Sequence, residues 1–488
     1  MEWKEAPEGR WRKDLGGAEK IYRFTSTIFK LTGREHWGLY TVCQVKFGPG
    51  LDPEEEATAA LRNAWKALRF EFPALTLIPD GYEAVYPSGS DEEKISAENA
   101  LEDWAQKTFR VAPLLSVKEI LADYKLHDLP ELIWLPATSQ VVLLISHWRC
   151  DGLGTCMLLN RLFQLVSTKA SGAVPEGWTV EKDLANISPS IEDAAGAPMV
   201  SNPEIEETAR DMSKFREKTM NTIGVPYNGD RTTPPGQTAV QVTTFTAEST
   251  KTLVDECRAR KITVAAAIHA ALATAAFELT SAKEVNDYIT VMAVSFRPYL
   301  QNPYNTVAHA CRTYVTGIAP EVSKNASFEE QTTTLTKLFK NWHTDKMSQA
   351  LRELYRGASQ ALLSPRSRPA GPPPNPPSGI THSNLGVVDH FIKSKYYGDH
   401  QDKTFEALPI IEVTGFEFGV TVLTRQMMFY PWTFRGQLNF SINYNDAYYD
   451  TEAPQKLIRE RASFNQFVPE SPEKYRETAV TTFHSDVL

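Results

Sequence analysis

Apolar and polar positions recur along this chain with two different periods, and the changes between them lay out its elements. "WGLYTVCQVKF" (Trp37 to Phe47) reads as a strand, whereas "PEEEATAALRNAWKALRFEFP" has helical apolar spacing and acidic residues in its first turn. "ELIWLPATSQVVLLISH" reads as a pair of strands. "TCMLLNRLFQLV" then follows as a buried helix.

Between about Val174 and Gln237 the pattern weakens into Pro, Gly and Asp interruptions with one amphipathic piece, "EETARDMSKFREKTMNTI", which predicts a surface connector. A second αβ section opens at "TAVQVTTF", followed by a helix and then by an Ala-rich helix started by Thr263. "DYITVMAVSFRPYL" predicts one strand closing on Arg297-Pro298. "SPRSRPAGPPPNPPSG" (Ser364 to Gly379) predicts an exposed or disordered loop, since its prolines fit neither a helix nor a central strand. The end, "IIEVTGFEFGVTVLTRQMMFYPWTFRGQLNFSINYNDAYYD", is rich in strands. No fixed-period repeat or heptad pattern is visible. The expectation is two mixed α/β lobes: residues 1–205, a connector at 206–238, and residues 239–488.

Length agrees, because 488 residues exceed what one core usually fills. A net charge of −9 leaves no excess of Lys and Arg to neutralise phosphates, so a nucleic-acid partner is not expected, nor adsorption to an anionic membrane. The charged start has no apolar signal core, and no run approaches the length of a membrane span. Five scattered cysteines without a C-x-x-C pair predict reduced thiols in the cytosol and no metal site. These features lead to the expectation of a cytoplasmic protein, and a monomer is expected.

The chemistry concentrates in "VVLLISHWRCDGLGTCMLLNRLF" (Val141 to Phe163). A buried strand ends on His147, and Asp151 follows in a glycine turn that opens a helix. "GLGTCM" imitates a dinucleotide loop, but Met157 stands where a third small residue is needed and no second strand with an acidic end follows. Asp151 as a helix cap is explained by packing alone. His147 is not: a histidine at the mouth of a sheet on a rigid turn is suited to proton transfer. The plain alternative is a core histidine bonded to a backbone carbonyl. Cys150 and Cys156 read as packing, His269 as structural, and His36, His343 and His400 as solvated.

"SHWRCDG" resembles the H-x-x-x-D-G signature of the CoA-dependent acyltransferase superfamily, which includes plant BAHD enzymes, chloramphenicol acetyltransferase and peptide-synthetase condensation domains. In order along the chain, "ITVAAAIHAALATA", "VSFRPYL", "SNLG" and "GQLNFSINYNDAYYDTE" are similar to further segments of that superfamily. The nearest likeness is to fungal enzymes of the trichothecene 15-O-acetyltransferase type. The plant D-F-G-W-G motif is absent, with "FEFGV" (Phe416 to Val420) at best a remnant, and Ser146 stands where condensation domains carry a second histidine.

The resemblance implies an α/β fold of two chloramphenicol-acetyltransferase-like lobes, each a mixed sheet with flanking helices, and an active-site tunnel between them. It implies an O-acyltransferase moving an acyl group, acetyl first, from acyl-CoA as co-substrate to a hydroxyl of a secondary metabolite such as a terpenoid or polyketide. No cofactor is held and no covalent intermediate forms. His147 would be the general base, and Asp151, Gly152 and Arg297 would support its turn, with Arg312 and Arg34 as alternative partners of Asp151. Ser383, Asn384 and His382 would face substrate, Ser383 or Asn384 donating to the oxyanion, unless Ser383 and Asn384 merely form a turn. Two other functions stay open on sequence: a condensation-like enzyme with a carrier-bound donor, and a non-acylating scaffold or cyclase.

Overall fold

The computed structural model describes residues 2–7, 9–51, 54–87, 94–219, 222–230, 232–280, 287–364, 379–398 and 408–459. All but the two ends of the Pro-rich segment, and His400, lie outside them.

The first large sheet has six strands in the order Lys395–Tyr396, Ile411–Val420, Gly38–Phe47, Gln140–Ser146, Glu131–Leu135 and Phe109–Val111. All neighbours are antiparallel except the last pair. Its central strands are buried on both faces, and period-2 alternation divides their side chains. Val141, Leu143 and Ile145 join the main core with Leu158, Leu162 and Phe163 of helix Gly152–Ser167. Val142 and Leu144 point the other way, onto Ile120 and Leu121 of the short helix Val117–Ala122.

The second large sheet runs Val315–Ile318, Met292–Ser295, Ile380–Ser383, Met427–Phe434, Gln437–Asn445 and Thr238–Thr244, with Gly386–Val387 also pairing on Met427–Phe434. Helix Val264–Leu279 lies on its own core, capped as its sequence suggests by the Thr263 side chain accepting from Ala266 N. The single strand expected over "DYITVMAVS" is split. Asp287–Ile289 pairs with Glu321–Ser323 in a separate ribbon, and only Met292–Ser295 enters the large sheet.

The chain does not divide strand by strand at the connector. Ile411–Val420, from the far end of the sequence, pairs with Gly38–Phe47 along almost its whole length, with one irregularity between Val413 and Gly415. The helix Pro203–Ser213, N-capped by Asn202, runs across the expected start of the connector, and its Ile205 and Ala209 pack on Ala350 and Leu354 of helix Asp345–Leu363.

Two histidines meet inside the second core. His269 and His382 are fully buried, their Nδ1 atoms lie 2.8 Å apart, and Tyr288 and Phe429 pack around them. One ring must donate and the other accept, so at least the accepting ring is neutral. Burial pushes His269 down to about 3 and His382 well below its ordinary value. His36, expected at the solvated surface, is buried; its Nδ1 accepts from Leu423 N at 3.1 Å, and burial takes it to about 3. His343, also expected to be solvated, is half-buried and stacks on Tyr299 at 3.7 Å. The buried Glu35 moves oppositely, raised to about 7 by desolvation against smaller opposing hydrogen bonds.

These shifts fix the sign of the acid response. Below about pH 6.5 the unfolded chain protonates its histidines and the folded one does not protonate the three buried ones, so each costs up to about 1.4 kcal/mol per pH unit. Glu35, whose folded form takes up its proton first, offsets one of the three between about pH 7 and 4.5. Urea unfolding should therefore show stability falling from pH 7 to 5, and the double variant His269→Asn/His382→Asn should give a shallower slope. A double variant as steep as the parent would contradict the assignment.

Candidate active site

The strand Gln140–Ser146 leaves the sheet where its ladder with Gly38 ends, and the next five residues form a turn anchored on both sides of His147. Arg149 N donates to Ser146 O at 3.0 Å. Trp148 is buried, and so is Arg149, whose guanidinium donates to the carbonyls of Ala74, Leu77 and Asp128. Burial lowers Arg149 to about 10, and three carbonyls stand in for the water it has lost. With both neighbours drawn inward, the His147 ring stays half-buried at the rim of the sheet.

Asp151 caps helix Gly152–Ser167, its Oδ1 accepting from Gly154 N at 2.8 Å. It does more than cap. Arg297 Nη1 lies 2.8 and 2.7 Å from the two carboxylate oxygens, and Tyr314 N donates to Oδ2 at 2.7 Å. Neither side chain of this pair is more than 5% exposed. Arg297 opens a single 3-10 turn after strand Met292–Ser295, and its Nη2 reaches the carbonyls of Ala310 and Arg312. Arg312, the first alternative partner, is instead paired with Glu19 at 2.7 Å, and Arg34 donates to Pro235 O.

The glycines of the turn are there for close approach. A Cβ on Gly152 would come within 2.8 Å of the Phe418 ring, and one on Gly154 within 2.4 Å of Ala310 O. Phe418 lies in the "FEFGV" stretch, so that segment serves as a wall against the helix start.

His147 stacks on Tyr22 of helix Gly17–Thr27, ring centroids 4.1 Å apart and planes 18° apart, and Trp37 sits 6.3 Å away. Its carbonyl accepts from Thr313 Oγ1, and its Nδ1 is enclosed by protein. Burial pulls the imidazole below its ordinary pKa, against smaller contributions from backbone hydrogen bonds in the turn and from Asp151. The ring is thus neutral near pH 7. Burial also drives the thiols of Cys150 and Cys156 well up, so neither is a thiolate nucleophile.

The remaining substrate candidates are dispersed. His382 belongs to the buried pair with His269, because alternation along Ile380–Ser383 turns it into the second core; it is withdrawn from the substrate-facing set. Asn384 Oδ1 accepts from Gly386 N at 2.8 Å, which is the turn-forming contact. Ser383 ends its strand, half-buried, opposite Ala293. Sequence reasoning missed Tyr22, Trp37, Arg149 and Thr313. All but Arg149 are brought to His147 from distant segments, with no spacing to betray them, and only Arg149 stood within the motif itself. Among the described residues no group of three or more His, Cys, Asp or Glu is placed to hold a metal ion.

No family model matches the chain. It is 42% identical over 460 residues to the O-acetyltransferase pigM of Monascus ruber, covering 94% of this chain and 85% of that protein. It is 36% identical to the azaphilone biosynthesis cluster protein M of Aspergillus terreus, covering 92% and 94% of the two chains. Among solved structures, the trichothecene 15-O-acetyltransferase of Fusarium sporotrichioides superposes with a TM-score of 0.76 at 16% identity, covering 95% of this chain and 96% of that one. The epimerization domain of tyrocidine synthetase B gives 0.56 at 14% identity, covering 95% and 98%. At these identities the structural likeness is one of fold, and the fold is the two-lobed, chloramphenicol-acetyltransferase-like one. The extended sequence identity goes further: the chain belongs to the fungal O-acetyltransferases.

Proposed function

We propose that the protein transfers an acyl group, acetyl first, from acyl-CoA to a hydroxyl of a fungal polyketide, with His147 as general base and no acyl-enzyme. The observation that carries this reading is the neutral His147 ring, held at the sheet rim by a turn that Asp151 and Arg297 lock. The name of the Aspergillus terreus relative makes an azaphilone-type alcohol the first acceptor to test.

Nδ1 is enclosed, which leaves Nε2 as the nitrogen for substrate. Nε2 takes the proton of the acceptor hydroxyl while its oxygen attacks the thioester carbonyl. The tetrahedral adduct then collapses, the C–S bond breaks, and the departing CoA sulfur receives the proton from the imidazolium. The base contributes about 10² to 10⁴-fold, and holding both substrates together supplies a further, larger factor. Cys150 takes no part, since its thiol is buried and protonated.

Incubation with acetyl-CoA and a panel of polyketide and terpenoid alcohols, read by mass spectrometry, should give a monoacetylated product with release of free CoA. His147→Ala should lower turnover by at least about 100-fold with unchanged circular dichroism. A variant that turns over like the parent removes His147 from the mechanism.

Asp151→Asn should act on stability as well as on rate. It leaves the buried Arg297 guanidinium without its counter-charge, at a cost of about 3–5 kcal/mol, readable in urea unfolding. Parent-like stability with parent-like kinetics would reduce Asp151 to a simple helix cap.

A further inference from the structure

We propose that Tyr22 and Thr313 are positioning residues of the transfer reaction, holding the His147 imidazole from its ring face and from its backbone carbonyl. The inference rests on the reading of His147 as the base. His147 is the first residue beyond its strand, so the sheet ladder fixes Ser146 and nothing in the ladder fixes His147. Two contacts from outside the motif supply what is missing. Thr313 is buried and its Oγ1 donates to His147 O; the Tyr22 ring lies 4.1 Å over the imidazole and nearly parallel to it.

Both contacts trace to one stretch of the second lobe. Arg312 precedes Thr313 and makes a buried ion pair with Glu19, one helical turn before Tyr22 on the same face of helix Gly17–Thr27. The fit of that helix is close: a Cβ on Gly17 would come within 2.8 Å of the Tyr355 backbone. Tyr314, which follows Thr313, gives its N–H to Asp151. Residues 312–314 therefore reach the catalytic turn three times, through the helix that carries Tyr22, through the His147 carbonyl and through the Asp151 carboxylate. The stacking has a second consequence. When the imidazole takes the substrate proton it becomes a cation against an aromatic face, an attraction that exists in the transition state and is weak before it.

The test compares Thr313→Val and Thr313→Ser, and Tyr22→Leu and Tyr22→Phe, with His147→Ala as the reference. Thr313→Val and Tyr22→Leu should each lower kcat by about 5- to 30-fold with KM for both substrates within about twofold, the pattern of an interaction used only in the transition state. Serine, which keeps the hydroxyl, and phenylalanine, which keeps the ring, should each restore most of that rate. If Thr313→Val does not fold, Thr313→Cys, with its weak donor, takes its place with an intermediate rate expected. Selective ¹⁵N-histidine labelling, with the His147 signals assigned by their loss in His147→Ala, should show those signals broadened or split in Thr313→Val and Tyr22→Leu. A packing loss elsewhere would leave them sharp. Parent-like kcat in both disruptive variants, or failure of the conservative ones to rescue, overturns the proposal. Should His147→Ala itself keep the parent rate, the assignment of the base fails instead.

Discussion

The buried carboxylate of Asp151 is the contact on which the rest depends. An ionised carboxylate removed from water costs several kcal/mol unless its lone pairs are filled. Here they are filled by Gly154 N, by Arg297 on both oxygens and by Tyr314 N. Those donors come from three places: the first turn of the helix after the motif, the end of a strand in the second lobe, and the stretch leading into Val315–Ile318. Satisfying one side chain thus brings two distant stretches of the chain, at Arg297 and at Tyr314, to the place where His147 sits. The Nη2 of Arg297 in turn reaches the carbonyls of Ala310 and Arg312, so the network passes outward into the second lobe.

This requirement explains why the lobes interlock. If they met only at a surface, the Asp151–Arg297 pair would sit at a joint that water could enter, where such a pair contributes little. Instead Ile411–Val420 is built into the first sheet, and helix Gly17–Thr27 packs on Asp345–Leu363 of the second lobe. The main core accordingly draws residues from Leu15 to Phe434. With the pair shut away from water, losing either partner would strand a buried charge, which is why the contact is costly to break.

Features carried by local pattern were legible in the sequence, and those made by distant contact were not. The hairpin Glu131–Ser146, the helix after Asp151 and the Thr263 cap follow from periodicity and capping chemistry over a few residues. Only the resemblance points to Arg297 as the partner of Asp151, since no spacing rule joins positions 146 residues apart. The break in "DYITVMAVS" leaves no mark in the sequence because β-favouring apolar residues run on through it, and only the separate pairing of its two ends reveals it. His36 looked solvated among charged neighbours, yet Leu423 N, far along the chain, meets its ring. Tyr22 reads as an ordinary helix position until Glu19 is seen pinned by Arg312.

The geometry also separates this histidine and aspartate from those of a charge-assisted triad. In a triad the carboxylate accepts from the imidazole Nδ1–H and stabilises the cation through that bond. Here both oxygens of Asp151 are already engaged, and the His147 Nδ1 makes no hydrogen bond to it. The aspartate acts on the ring through the turn it rigidifies and through a small Coulombic effect, while burial keeps the imidazole neutral. For the proposed transfer, a neutral imidazole suits an acceptor hydroxyl that must be deprotonated as it attacks, and the proton it would receive is needed again by the departing thiolate. In the proposed reaction the same imidazole must hand that proton on, and here it would do so without a carboxylate bond at Nδ1.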